Sequence, residues 1–144
     1  MTTPPPSLTT LTTYLLSRTG KSARTRFTAR LADRGLRLWH MAVLAALADF
    51  GPHSQRELAE RLAIDPSDIV KILDELGTGG HVERARDTTD RRRFSVSLTD
   101  PGRALLATLT AEAEQVQEQV LAPLSPTERA QLHTLLARLH PFAD

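Results

Sequence analysis

The stretch Asp87-Thr88-Thr89-Asp90-Arg91-Arg92-Arg93 decides how this chain folds. Three consecutive arginines have no core to build. They stand between two β-type runs, His81 to Ala85 and Phe94 to Leu98, the second placing Phe94, Val96 and Leu98 inward and Ser95 and Ser97 outward. Eight residues separate the runs, too many for a tight hairpin turn, so the loop projects. A projecting cationic tip suits a narrow groove of strong negative potential, and the helix pair before it suits the wide groove alongside. Two helices, a strand, an arginine loop, a second strand and a helix start predict a winged helix-turn-helix that binds DNA.

Immediately upstream, Ser54-Gln55-Arg56-Glu57 is a capping box, with Leu58, Ala59 and Leu62 on one face of the helix it opens. That helix must stop near Asp65-Pro66, because a residue preceding proline is pushed out of the helical region. Asp65 then reads as the next N-cap, Pro66 as the first helical residue and Asp68 as a first-turn acid. Ile69, Ile72, Leu73 and Leu76 form the buried stripe, and Gly77-Thr78-Gly79-Gly80 ends it. Ser54 and Gln55, at a helix amino terminus, suit a backbone phosphate, although capping explains Ser54 equally well.

Further out, Leu8, Leu11, Leu15, Ala23, Phe27 and Leu31 keep helical spacing with a weak middle at Gly20 and a stop at Gly35. A second helix runs through Trp39, Val43, Leu44 and Leu47 to Phe50-Gly51-Pro52. Beyond the wing, Thr99 caps a long helix with Leu105, Leu109, Ala113, Val116 and Val120 in register. The box Ser125-Pro126-Thr127-Glu128 opens a last helix that buries Leu132, Leu135, Leu136 and Leu139. The expected fold class is therefore mainly α with a small antiparallel β wing. Residues 1–6, with Pro4-Pro5-Pro6, are expected to be disordered, 36–98 to form the winged helix-turn-helix, and 7–35 and 99–140 to form a helical region. The leucine stripes of that region call for burial against a second copy or for an intramolecular bundle.

Composition narrows the function further. The 144-residue chain is 40% hydrophobic but only 4% aromatic, so its core must be aliphatic. It has no cysteine, which removes disulfides, thiol catalysis, thiol redox sensing and thiolate zinc sites. No window approaches the ~18 consecutive apolar residues of a membrane span, and the amino terminus lacks a signal pattern, so a cytoplasmic protein without a membrane partner is expected. Net charge is only +1, but it is unevenly spread. Arg18, Lys21, Arg24, Arg26, Arg30, Arg34 and Arg37 face Asp33 alone, a patch that reads as well as a solvated helix face. From Ser54 to Asp100, by contrast, eight cations meet ten acids, a poor balance for a DNA reader. That balance keeps alive a second reading, a winged helix that docks a protein rather than DNA.

Several strings, in this order, resemble the MarR (multiple-antibiotic-resistance regulator) family of bacterial transcription factors over roughly Leu8 to Leu139. They are Leu58-Ala59 with Leu62 and Ile64, Leu76 with Gly80-His81-Val82-Glu83-Arg84, Asp87-x-x-Asp90-Arg91-Arg92, Leu98-Thr99-x-x-Gly102, and Leu124-Ser125-Pro126-x-Glu128 with Leu135-Leu136. The resemblance implies a homodimer whose first and last two helices intertwine, reading a pseudo-palindromic operator in double-stranded DNA. It implies that Pro66, Ser67, Asp68 and Lys71 point toward the major groove. It also implies that Arg92 enters the minor groove, oriented by Asp90, with Arg91 and Arg93 nearer the phosphates. Family members usually carry Thr-Arg where this chain has Val70-Lys71, a departure that bears on which operator is read.

Relatives in that family often release DNA when a small aromatic acid fills a pocket. The resemblance offers Arg26, Phe27, Arg30, Trp39 and His40 as such a small-molecule site, although Phe27 and Trp39 read more readily as core and His40 as a satisfied surface or core histidine. No cofactor, metal site or catalytic set is expected. The five histidines lack ligand spacing, and Gly77-Thr78-Gly79-Gly80 follows a helix and precedes a strand, the reverse of a dinucleotide loop.

Overall fold

The computed structural model describes residues 2–86, 89–90 and 92–140. Its elements in chain order are α1 (Pro6–Thr9), α2 (Thr12–Ala32), α3 (Leu38–Phe50), α4 (Gln55–Leu62), α5 (Pro66–Thr78), β1 (Val82–Arg86), β2 (Phe94–Leu98), α6 (Asp100–Val120) and α7 (Pro126–Leu139). Two compact units result. One comprises Thr28–Glu112; the other comprises Met1–Phe27 with Ala113–Asp144.

The Thr28–Glu112 unit holds most of the aliphatic core. Val43, Leu44, Ala46 and Leu47 of α3, Leu58 and Ala59 of α4, and Ile69, Ile72, Leu73 and Leu76 of α5 are buried, along with Val82 and Val96 of the strands. Helix α3 packs on α4, α5 and β2, while α5 packs on β1. Fully burying one such leucine or isoleucine contributes about 1.5–3 kcal/mol, so the α5 stripe alone anchors this helix firmly. The strands pair antiparallel from Val82↔Leu98 to Arg86↔Phe94. His53 adds a third stub to this sheet: its N–H donates to Val96 O at 3.1 Å, and the Val96 N–H donates to His53 O at 2.7 Å. The sheet thus begins before the helix pair, which no strand-length pattern in the sequence announced.

Thr99 ties the wing to α6. Its Oγ1 donates to Gly80 O at 2.6 Å and accepts the Gly102 N–H at 3.1 Å. Position 102 must be glycine here, because a Cβ would run into the His81 carbonyl oxygen and the Leu98 side chain. That contact gives Leu98-Thr99-x-x-Gly102 a packing reason.

In the other unit, α7 opens on the Ser125 box and Arg129 closes the turn before it. The Arg129 guanidinium donates to Leu121 O at 3.2 Å, to Leu124 O at 3.1 Å and to Glu118 Oε2 at 2.7 Å. Helix α2 runs unbroken through Gly20, since one helical glycine costs only about 1 kcal/mol. One expectation needs correction, that Phe94 points inward. It is 53% exposed, lying at the far end of β2 where its register partner Arg86 stacks over the ring at 5.4 Å. Leu135, Leu136 and Leu139 of α7 are exposed in the single chain, as are Leu8, Leu11, Leu15 and Leu16.

Candidate nucleic-acid interface

Helix α4 starts at a complete capping box. Ser54 Oγ accepts the Glu57 N–H at 3.1 Å, and Glu57 Oε1 accepts the Ser54 N–H at 3.2 Å. These bonds from Ser54, with a smaller contribution from the nearby Arg93 charge, hold the Glu57 carboxyl below its ordinary pKa. Asp65 caps α5 in the same manner, accepting the Ser67 N–H at 2.9 Å and the Ser67 hydroxyl at 2.6 Å, and its pKa is lowered by those bonds. Between the helices the chain turns through Ala63 at φ 53°, and the Ile64 N–H reaches back to Ala59 O at 2.9 Å. This tight turn leaves Pro66, Ser67, Asp68, Val70 and Lys71 exposed on α5, opposite its buried stripe.

The wing carries the basic residues. Asp90 Oδ1 accepts the backbone N–H of Arg92 at 3.0 Å, and Asp90 O accepts the Arg93 N–H at 3.0 Å. Asp90 therefore shapes the turn through the main chain, not through the expected pairing with the Arg92 guanidinium. Arg92 itself is exposed, and Arg91 lies outside the described residues. Arg93 reaches Glu57 Oε1 at 3.4 Å, and Arg84 reaches Asp74 Oδ1 at 3.0 Å. A groove of about 820 Å³ runs along this edge, lined by Ser54, Gln55, Arg56, Arg84, Arg93, Phe94 and Val96. Of the sequence-predicted DNA residues, it gathers Ser54, Gln55 and Arg93. Pro66, Ser67, Asp68 and Lys71 share the first turns of α5, and Asp90 and Arg92 share the wing turn.

The residues suggested for a small ligand are described unit by unit. Arg26 and Phe27 belong to one unit, and Arg30, Trp39 and His40 to the other. Trp39 is 42% exposed, so it is not a core residue. His40 is buried and doubly bonded: its Nδ1 accepts the Arg37 N–H at 2.9 Å, which leaves Nε2 to donate to Glu75 Oε2 at 2.8 Å. The sequence reading missed that Asp74 and Glu75 each hold a partner on another element. It also missed the cluster in which Arg61 stacks on Phe50 at 4.1 Å and donates from Nε to His53 Nε2 at 3.0 Å. Spacing along one helix carries no signal for such pairs. Among the described residues, no group of acids and histidines is placed to hold a metal, and no helix is long and apolar enough to cross a membrane.

A helix pair, an exposed face on the second helix and a two-stranded basic wing define a winged helix-turn-helix protein of the transcription-regulator class. Comparison with known proteins makes this specific. Residues 34–93 match the family model described as MarR family. The chain is 34% identical to the HTH-type transcriptional repressor NicR of Pseudomonas putida over 113 residues, 78% of this chain and 72% of NicR. It is similar to the crystal structure of a probable transcriptional regulator from Pseudomonas aeruginosa, with 33% identity, a TM-score of 0.73, and 92% of this chain and 99% of that one covered. BpsR of Bordetella bronchiseptica, whose DNA binding is regulated by 6-hydroxynicotinic acid, matches with 28% identity, a TM-score of 0.74, and coverage of 98% and 100%. The chain belongs to the MarR family of transcriptional regulators.

Proposed function

We propose that this protein is a homodimeric, sequence-specific DNA-binding repressor that lets go of a pseudo-palindromic operator when a small aromatic acid binds. The observation that carries the reading is the exposed first half of α5 set beside a basic wing whose turn is pinned by Asp90. In this reading residues 36–98 read DNA, with Pro66, Ser67, Asp68 and Lys71 toward the major groove. Arg92 enters the minor groove and Arg91 lies near phosphate. Residues 7–35 and 99–140 form the dimer region, supported by leucines on α1, α2 and α7 that stand 39–67% exposed. Two copies then present their α5 helices one DNA turn apart, roughly 34–36 Å.

Repression is supported by the likeness to NicR, and an aromatic-acid effector by the likeness to BpsR. Arg26, Phe27, Arg30 and Trp39 remain the proposed ligand residues. His40 acts in this reading as a fixed wall, since both ring nitrogens are engaged.

The test is selection of genomic fragments by the purified protein at about 0.15 M salt with excess competitor DNA. Recovery of a shared near-palindrome is expected, with binding lost by at least tenfold in the Arg91→Ala, Arg92→Ala double variant and reversed by 6-hydroxynicotinic acid or salicylic acid. No enrichment at all would favour the second reading, protein docking, which rests on the ten acids and eight cations between Ser54 and Asp100. Wild-type affinity in the double variant would refute the role given to the wing tip.

A further inference from the structure

The groove between the start of α4 and the wing contains arginines that are already occupied. Arg93 points at Glu57 and Arg84 at Asp74, and both arginines line the groove with Arg56, Ser54 and Gln55. All four paired side chains are 41–58% exposed, so these are solvent-facing contacts that exchange easily rather than buried ion pairs. The carboxylates come from two different helices, yet each meets a cation of the wing.

We infer that Arg84 and Arg93 form a seat for DNA backbone phosphates at the base of the wing, and that Glu57 and Asp74 fill it as internal counterions in the free protein. The inference rests on the DNA-binding reading and adds Arg84 to it. A carboxylate and a phosphodiester oxygen offer an arginine the same charge-assisted acceptor. Arrival of DNA therefore exchanges one partner for another. After the exchange the released carboxylates face a phosphate backbone, which opposes binding and draws cations back. The device lowers both affinity and its salt dependence relative to an arginine pair left free. It gives the surplus of acids in the reading head a purpose: the acids weaken non-specific attraction to DNA, which is largely electrostatic, while base contacts on α5 are untouched. It also keeps the wing arginines extended toward the groove, so that little side-chain freedom is lost when phosphate replaces carboxylate.

The experiment uses the full chain and a duplex carrying the selected operator, with affinity read by fluorescence anisotropy over a series of salt concentrations. Glu57→Gln is the main variant, because glutamine still completes a capping box and leaves α4 in place; a thermal melt checks that. Asp74→Asn is the second. Each is expected to bind operator and random duplex about threefold to tenfold more tightly, with the slope of log affinity against log salt steeper by up to about 0.9. In an Arg93→Ala background, adding Glu57→Gln is expected to give no gain over Arg93→Ala alone, whereas a general change in charge would still give one. If both single variants match the wild type in affinity and slope, or if the gain survives Arg93→Ala, the counterion role is overturned while the DNA reading stands. If the wild type binds no DNA, both fall together.

Discussion

Ala63 sits at φ 53°, in the left-handed region that glycine occupies at Gly80, where φ is +77°. The turn it makes is the same in both places. At Ala63 the following N–H bonds five residues back to Ala59 O, and at Gly80 the His81 N–H bonds back to Leu76 O. A left-handed alanine costs roughly 1–2 kcal/mol, part of which glycine would lose again through the freedom of the unfolded chain. Ala63→Gly is therefore expected to stabilise the protein by about 0.5–1 kcal/mol in urea unfolding. A loss of stability would mean that the Ala63 methyl group makes a contact worth more than the strain. The helix-pair turn was legible in Asp65-Pro66, but its strained residue was not. Nothing about an alanine in the sequence marks φ, which the packing of α4 against α5 imposes.

Among the elements, α4, α5 and α7 each begin at a capped acid-bearing turn. The carboxyls of Glu57 and Glu128 are held below their ordinary pKa by bonds to Ser54 and Ser125, and that of Asp65 by bonds to Ser67. A lowered folded pKa stabilises the fold at any pH above the unfolded value, and the contribution disappears as pH falls through the folded value. The urea midpoint is thus expected to stay level near neutral pH and to fall once pH drops below about 4.5, the ordinary value for glutamate. Ser125→Ala should flatten that fall and cost about 1 kcal/mol at neutral pH. A midpoint independent of acid would remove the caps from the account. These caps were readable because a capping box is a four-residue signal. The strand partners of the wing were readable by alternation, except at Phe94, where alternation predicts a face but not where the core ends beneath it.

For the whole molecule, the decisive feature is apolar surface on α1, α2 and α7 that one chain leaves open. Leu135, at 53% exposure, and Leu139, at 67%, are expected to be covered in a dimer. Leu135→Asp with Leu139→Asp should shift sedimentation at micromolar concentration from dimer to monomer and abolish operator binding, with the helical circular dichroism of the Thr28–Glu112 unit retained. A wild-type protein that sediments as a monomer would contradict the proposed assembly. The sequence by itself determined the order of elements, the helix boundaries at 54, 65 and 125, the buried stripe of α5 and the place of the basic residues between the two strands. All of these follow from interactions between residues at most a few positions apart. Only the tertiary structure decided that Arg93 meets Glu57, that Arg84 meets Asp74, that His40 spans to Glu75 and that His53 joins the sheet through Val96. Those pairs lie 10 to 43 positions apart, and no periodicity in a chain specifies which exposed charge will find which partner; the packing of α3, α4 and α5 against the wing does.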